Sequence, residues 1–265
     1  MLLEQPLPEA LEPGFQALRI WIILFTLSAA ALLIGVQFGG RFGLVIGFIA
    51  TLLLNLWILF ISPNRLREEF KTWELEGRDT WGLLNATRDA ATRARIPVPQ
   101  IALADHDEFF SLSIGISPSR STIILSHALV ERLSPYERKL VIAFECAKIA
   151  CQWTASATAA RGLCRLVDYP GLGFLTLFIL RRSLGSGRIA KLDEWVASHG
   201  ESREGWARTL WTLEAMVASK PRRSKLSDCA LDTVSPLTAF RTVRYDHSLP
   251  TVRNRIGTLI DRYPP

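Results

Sequence analysis

The sequence predicts an α+β protein that is mostly α. It has an N-terminal transmembrane helical hairpin, followed by a domain with a small β-sheet. Three observations predict it. Two uncharged apolar runs, 20–40 and 42–64, lie back to back. Three short apolar or β-branched runs, 100–104, 109–114 and 122–125, are separated by turn-forming residues. The stretch SPYERKLVIAFECAKIACQW, 134–153, carries the marks of a long capped helix.

Taken in order, residues 1–19 are polar and hold Glu4, Glu9 and Glu12, with no basic start before a short apolar core. This is not the pattern of a signal peptide; it reads as a cytoplasmic N-terminal segment. Each apolar run is long enough to cross the roughly 30 Å hydrocarbon layer as a helix. The spans fall at about 20–40 and 43–63 within a hairpin over 20–64. Only Gly39, Gly40, Arg41, Phe42 and Gly43 lie at the turn. Trp21 and Trp57 lie toward the outer ends of the two arms and so reach the same face, where indole rings favour the interface. One cation, Arg41, sits at the turn, against Arg19, Arg65, Arg67 and Lys71 on the other side. The positive-inside rule then makes 65–265 cytoplasmic, in a multi-pass protein of the cell inner (plasma) membrane.

From Glu68 to Arg95 apolar residues fall among charges, at Phe70, Trp73, Leu83, Leu84 and Ala91. This reads as one helix with a break near Gly77, stopped by Pro97 and Pro99. In the 134–153 stretch, Ser134 and Glu137 can form a capping box, and Pro135 suits the first helical position. No Gly or Pro follows, so a helix of about five turns is expected. Residues 155–161 are small and weakly patterned. Residues 169–180 are uncharged, too short to span, and carry Pro170, Gly171 and Gly173. They form either a re-entrant or interfacial segment held by Arg181 and Arg182, or a buried core helix. Residues 188–219 read as two helices broken near Gly200. KPRRSK, 220–225, is a basic loop.

The chain is 49% hydrophobic with a net charge of +6. In a membrane protein that balance points to anionic lipid rather than nucleic acid. Four Cys, 146, 151, 164 and 229, make no C-x-x-C pair, so no zinc knuckle or thioredoxin-like site is indicated. There is no G-x-S-x-G elbow and no Walker loop, and GLGFL at Gly171 lacks a third glycine. Cys146 lies beside Glu145, which raises a thiol pKa and so argues against a nucleophile.

The run STIILSHALVERLSPYERKLVIAFECAKI, 121–149, resembles the HtpX family of membrane-embedded zinc metallopeptidases (the CAAX prenyl protease/HtpX type). The family has a strand, a short helix, an LS-x-x-E helix start and then H-E-x-x-H. In that motif two His one turn apart hold zinc and the Glu is the general base. Here the five positions are Phe144, Glu145, Cys146, Ala147 and Lys148. IPVPQIALAD and FFSLSIG also resemble the family, where such a strand lines the substrate cleft. By this resemblance Phe109, Phe110 and Ser111 form a peptide-binding edge. Matching the helix near residue 207 puts Asp193 on a second-shell family Asp and Ile189 on the third zinc ligand. The tail LPTVRNRIGTLIDRY resembles the family's closing helix through Pro250, Arg255, Ile256 and Leu259, with Leu249 where the family has His.

The resemblance implies a zincin-like domain over 65–265 whose former metal positions are Phe144, Lys148 and Ile189 and whose vestigial base is Glu145. A phenyl ring has no lone pair, and an ammonium repels a cation. Zinc, the family's cofactor, then has no ligands, and no other cofactor is indicated. His106, His127, His199 and His247 lie in different elements and form no i, i+4 pair. The expected role is a catalytically inactive membrane pseudopeptidase that binds or regulates a protein or peptide partner. The alternatives are a divergent active zinc endopeptidase and a purely structural membrane subunit. The ammonium of Lys148 is expected to stand in for the metal, paired with Glu145 and Asp193.

Overall fold

In a computed structural model, the structure describes residues 18–58, 62–75, 79–166, 187–199, 202–219 and 252–261. The expectations for 1–17, for 169–180, for the basic loop 220–225, and for His247, Leu249 and Pro250 lie outside the described residues. The described part is mostly helical, with one small mixed sheet.

Helix α1, Arg19–Leu56, is broken at Gly40, whose φ of 53° and ψ of −131° leave the helical region. The parts on either side of the break touch. Asn55 Nδ2 donates to Ser28 Oγ at 3.1 Å, across 27 positions that would lie far apart on a straight helix. Gly35 and Gly43 approach so closely that a Cβ on either would collide with the other's carbonyl oxygen. The apolar stretch Trp21–Leu56 is 36 residues long, and only 6% of its most apolar window is buried in the protein. Phe25, Leu33, Phe38 and Phe42 are among its exposed side chains. It is one helix long and apolar enough to cross a membrane.

Helix α2 (Ser62–Glu69) leads into strand β1 (Thr72–Glu74), and α3 is Leu83–Ala94. The single helix expected from Glu68 to Arg95 is therefore corrected: a strand lies inside it. Lys71 has φ of 44°, which ends the helix. The β-forming Thr72 and Trp73 then pair with a strand nearly thirty residues downstream. Spacing of apolar residues within the segment carries no trace of that partner. Asp79 begins α3, accepting from Leu83 N at 2.9 Å and Leu84 N at 2.6 Å. The alanines Ala86, Ala90 and Ala94 on one face let α3 lie close against the central helix.

The remaining strands are β2 (Gln100–Ala104), β3 (Ser111–Gly115) and β4 (Ser121–Ser126), close to the predicted runs. The sheet order is β1-β2-β4-β3. β2 and β4 are parallel; β1 on β2 and β3 on β4 are antiparallel. Ile101, Leu103, Ile123 and Leu125 turn to the main core. Ala102, Phe110, Leu112, Ile114 and Ile124 form a second cluster with Phe70 on the other face.

Helix α4 is His127–Arg132, α5 is Pro135–Ala150 and α6 is Trp153–Leu166. The five-turn helix is thus shorter than expected. Gln152, at φ 57°, separates α5 from α6. The weakly patterned stretch 155–161 is the interior of α6. Its alanines Ala157, Ala159 and Ala160 and its polar Thr154, Ser156, Thr158 and Arg161 are all buried. Alanine, serine and threonine fill its buried faces, so no stripe of large apolar side chains marks the stretch. The last described helices are α7 (Gly187–His199), α8 (Arg203–Ser219) and α9 (Val252–Asp261). The break between α7 and α8 falls near Gly200, as the sequence predicts.

Candidate functional site

Helix α5 starts on a complete capping box. Ser134 N donates to Glu137 Oε2 at 2.9 Å, and Glu137 N donates to Ser134 Oγ at 3.3 Å. The cap sets the helix register. Phe144 and Lys148 then lie one turn apart on the same face, with Glu145 between them.

All three are buried, with Glu145 fully inaccessible and Lys148 1% exposed. Lys148 Nζ lies 2.5 Å from Glu145 Oε2. The other carboxylate oxygen accepts from Ser111 Oγ at 2.6 Å. Glu145 is thus held from both sides, by an ammonium and by a hydroxyl of β3. Burial pushes the Lys148 amine below its ordinary value, and the adjacent carboxylate opposes that shift. Burial, with Glu145 next to it, pushes the Cys146 thiol well above its ordinary range. Such a shift works against a thiolate at Cys146.

The Phe144 ring is the centre of the site. It stacks on Trp206 of α8 with centroids 5.5 Å apart. Lys148 Nζ stands 5.8 Å from its centroid and the Arg255 guanidinium 5.4 Å. Both cations lie within reach of the negative face of the ring. Ile189 is buried on α7 in the same core.

Asp193, one turn after Ile189, accepts from Trp206 Nε1 at 3.0 Å. It also accepts from Arg255 Nε at 2.7 Å and Arg255 Nη2 at 2.5 Å. Arg255 and Asp193 are each 2% exposed, so this is a forked pair buried in the protein. The expected partnership of Lys148 with Asp193 is corrected here: Asp193 is taken by Arg255, and Lys148 pairs with Glu145 alone. The reason is geometric, because a guanidinium fits both carboxylate oxygens at once and an ammonium does not. Around the Phe144 ring two carboxylates thus face two cations, a neutral set.

Sequence reasoning missed Arg255 and Trp206 as parts of this site. Arg255 was legible only as a match in the tail motif. Its partner lies 62 positions away, and nothing in the local pattern connects the two. Phe109 and Phe110 lead into β3 but turn to opposite faces of the sheet, Phe109 into the main core and Phe110 into the second cluster, and with Ser111 all three are buried. Helix α6 lies along that margin. Ser113 Oγ and Thr154 Oγ1 share a hydrogen bond at 2.8 Å, and Gly115 N donates to Thr158 Oγ1 at 3.3 Å.

The donor set does not fit zinc. A tetrahedral site needs three or four converging N, S or O donors at about 2.0–2.3 Å. Among the described residues no three His, Cys, Asp or Glu side chains converge. Phe144 and Ile189 carry no donor atom, and Lys148 is spent on Glu145. His106 packs against Phe70 and Phe110. His127 packs against Trp73 and Trp81.

The chain is similar to several curated proteins. A protease HtpX homologue of Pelotomaculum thermopropionicum is 26% identical, over 91% of this chain and 97% of the relative. A protease HtpX homologue of Desulforapulum autotrophicum is 22% identical, over 91% of this chain and 88% of the relative. A protease HtpX homologue of Syntrophobacter fumaroxidans is 22% identical, over 91% of this chain and 97% of the relative. No family model matches the chain, and no solved structure matches it.

Proposed function

We propose that this chain, an HtpX-like member of that peptidase family by similarity over 91% of its length, is a membrane pseudopeptidase. In this reading the peptidase frame is kept and its chemistry is replaced by a structural core. The domain serves as a protein- or peptide-binding or regulatory subunit at the membrane, without cleaving its partner. One observation carries the reading: Glu145, at the general-base position, is buried and held between Lys148 Nζ and Ser111 Oγ. A base must reach a water poised on a substrate. This carboxylate faces an ammonium in its place.

The Gly40 break and the Ser28–Asn55 contact support a helical hairpin that crosses the bilayer twice. The cations flanking it support a cytoplasmic, zincin-like domain on an inner membrane, with lipid as one partner. The role proposed for Phe109, Phe110 and Ser111 is to receive a peptide strand. Because α6 covers that margin, a peptide would have to displace Thr154 and Thr158 to reach it. The same covering favours a second reading, a structural subunit of a membrane complex with its cleft filled by Phe144 and Ile189.

The test is metal content of the purified full-length protein, washed without chelator, together with proteolysis of an unfolded membrane-protein substrate. We expect substoichiometric zinc and no cleavage that a chelator suppresses. About one zinc per chain with chelator-sensitive cleavage would replace this reading with a divergent endopeptidase.

A further inference from the structure

The two margins of the sheet differ. β3 is buried along its length and covered by α6. β1 is not: Trp73 is 41% exposed, and the Glu74 side chain 48%. Leu75 N donates to Ile101 O at 3.0 Å, and in an antiparallel ladder alternate residues face the partner strand. Leu75 and Trp73 therefore turn their backbone to β2, while Thr72 and Glu74 turn theirs outward. Among the described residues, no backbone hydrogen bond engages the outward N–H groups of Thr72 and Glu74. Side chains alternate as well. Thr72 and Glu74 point into a cleft of about 210 Å³ that Arg67, Lys71 and Thr122 also line. Trp73 points to the opposite face, beside His127.

From this we infer that β1 is an interface between two copies of the chain, which pair antiparallel about a two-fold axis through Trp73. The edge is complementary to itself in one register. Thr72 of each copy faces Glu74 of the other, so the outward N–H and C=O groups of both residues meet in four hydrogen bonds. Trp73 meets its own copy at a non-hydrogen-bonded position, where cross-strand side chains come closest and an aromatic pair gains most. Glu74 of the second copy enters the cleft beside Arg67 and Lys71. Among the described residues Lys71 makes no ion pair. Arg67 reaches its own Glu74 only at 3.8 Å. Both cations thus receive a carboxylate that the single chain does not bring close. Three residues make a short interface, but β1 follows closely on α2, which follows α1. Two chains held in one bilayer would meet in two dimensions at high effective concentration.

The test uses the full-length chain in lipid vesicles, counting subunits by photobleaching. Wild-type protein is expected to be dimeric. Glu74→Pro removes an outward N–H while leaving the β2 ladder intact, since proline is tolerated where the N–H faces away from the sheet. It takes away two of the four hydrogen bonds and should weaken association about tenfold or more. Trp73→Cys, with Cys229 replaced by serine, should form a disulfide-linked dimer on mild oxidation. Val98→Cys, exposed elsewhere on the domain, should not. A monomeric wild type overturns the inference and leaves the edge to a strand of another protein. A dimer that Glu74→Pro leaves intact, and that Trp73→Cys does not trap, overturns it too, because the contact then lies on another surface.

Discussion

Two groups of charges tie this domain together, and they differ in what surrounds them. The first is the interior set on α5, α7 and α9: Glu145 with Lys148, and Asp193 with Arg255, all at most 2% exposed. The second joins α2 to α6. Glu69 accepts from Arg161 Nη2 at 2.9 Å and from Arg165 Nη1 at 2.6 Å, but Glu69 is 33% exposed and Arg165 41%. In the first, water cannot replace a lost partner, so each charge depends on its neighbour. In the second, Glu69 and Arg165 keep access to solvent, although Arg161 itself is 2% exposed. The difference teaches that burial, more than ion-pair distance, sets what each pair contributes.

The largest test of that contrast is Lys148→Met. It leaves the Glu145 carboxyl without its counter-charge in the interior, and should cost about 3–5 kcal/mol in denaturant unfolding of the detergent-solubilised protein. Replacing both, Lys148→Met with Glu145→Leu, should recover most of that loss, because two apolar side chains fill the space without desolvating charge. If the single variant unfolds like the wild type, Lys148 reaches water and the contrast fails. The sign with pH follows. Burial lowers the amine's pKa below its ordinary 10.5, so the folded state sheds the proton more readily than the unfolded one. Its contribution therefore favours folding more as pH rises toward 10.5.

A smaller effect is expected at the α2–α6 group. Glu69→Gln should cost about 2 kcal/mol, between exposed and fully buried pairs, because Arg161 is itself buried. Burial alone would raise the Glu69 pKa, but the hydrogen bonds from Arg161 and Arg165 outweigh it and hold it below the ordinary 4.5. The carboxylate's contribution is thus full above pH 4.5 and is lost as pH falls through the folded value. The difference between wild type and Glu69→Gln should shrink on acidification. A gap that persists in acid would mean that Arg161 and Arg165 are held by packing and not by charge.

The smallest effect concerns the register that creates the first group. Ser134→Ala removes one half of the capping box and should cost about 1 kcal/mol in thermal unfolding. A much larger loss would show that the cap positions Phe144 and Lys148 beyond its local hydrogen bonds.

Local chemistry alone determined a good deal of this protein. Charge-free runs before and after Arg41 mark the apolar helix, because no chain can hide charges in hydrocarbon. Pro135, Ser134 and Glu137 start α5 where they stand, because caps act within one turn. That Phe144 carries no donor atom and Lys148 an ammonium follows from the residue types alone. Other features depend on residues far apart in the chain. Strand β1 forms because Ala102–Ala104 offers it a ladder, against the helical spacing of its own segment. Helix α6 could not be read because its buried faces are built from alanine, serine and threonine and not from large apolar side chains. Arg255 claims Asp193 from 62 positions away. Such pairings are chosen by which groups share a water-free interior, and only the folded chain decides that.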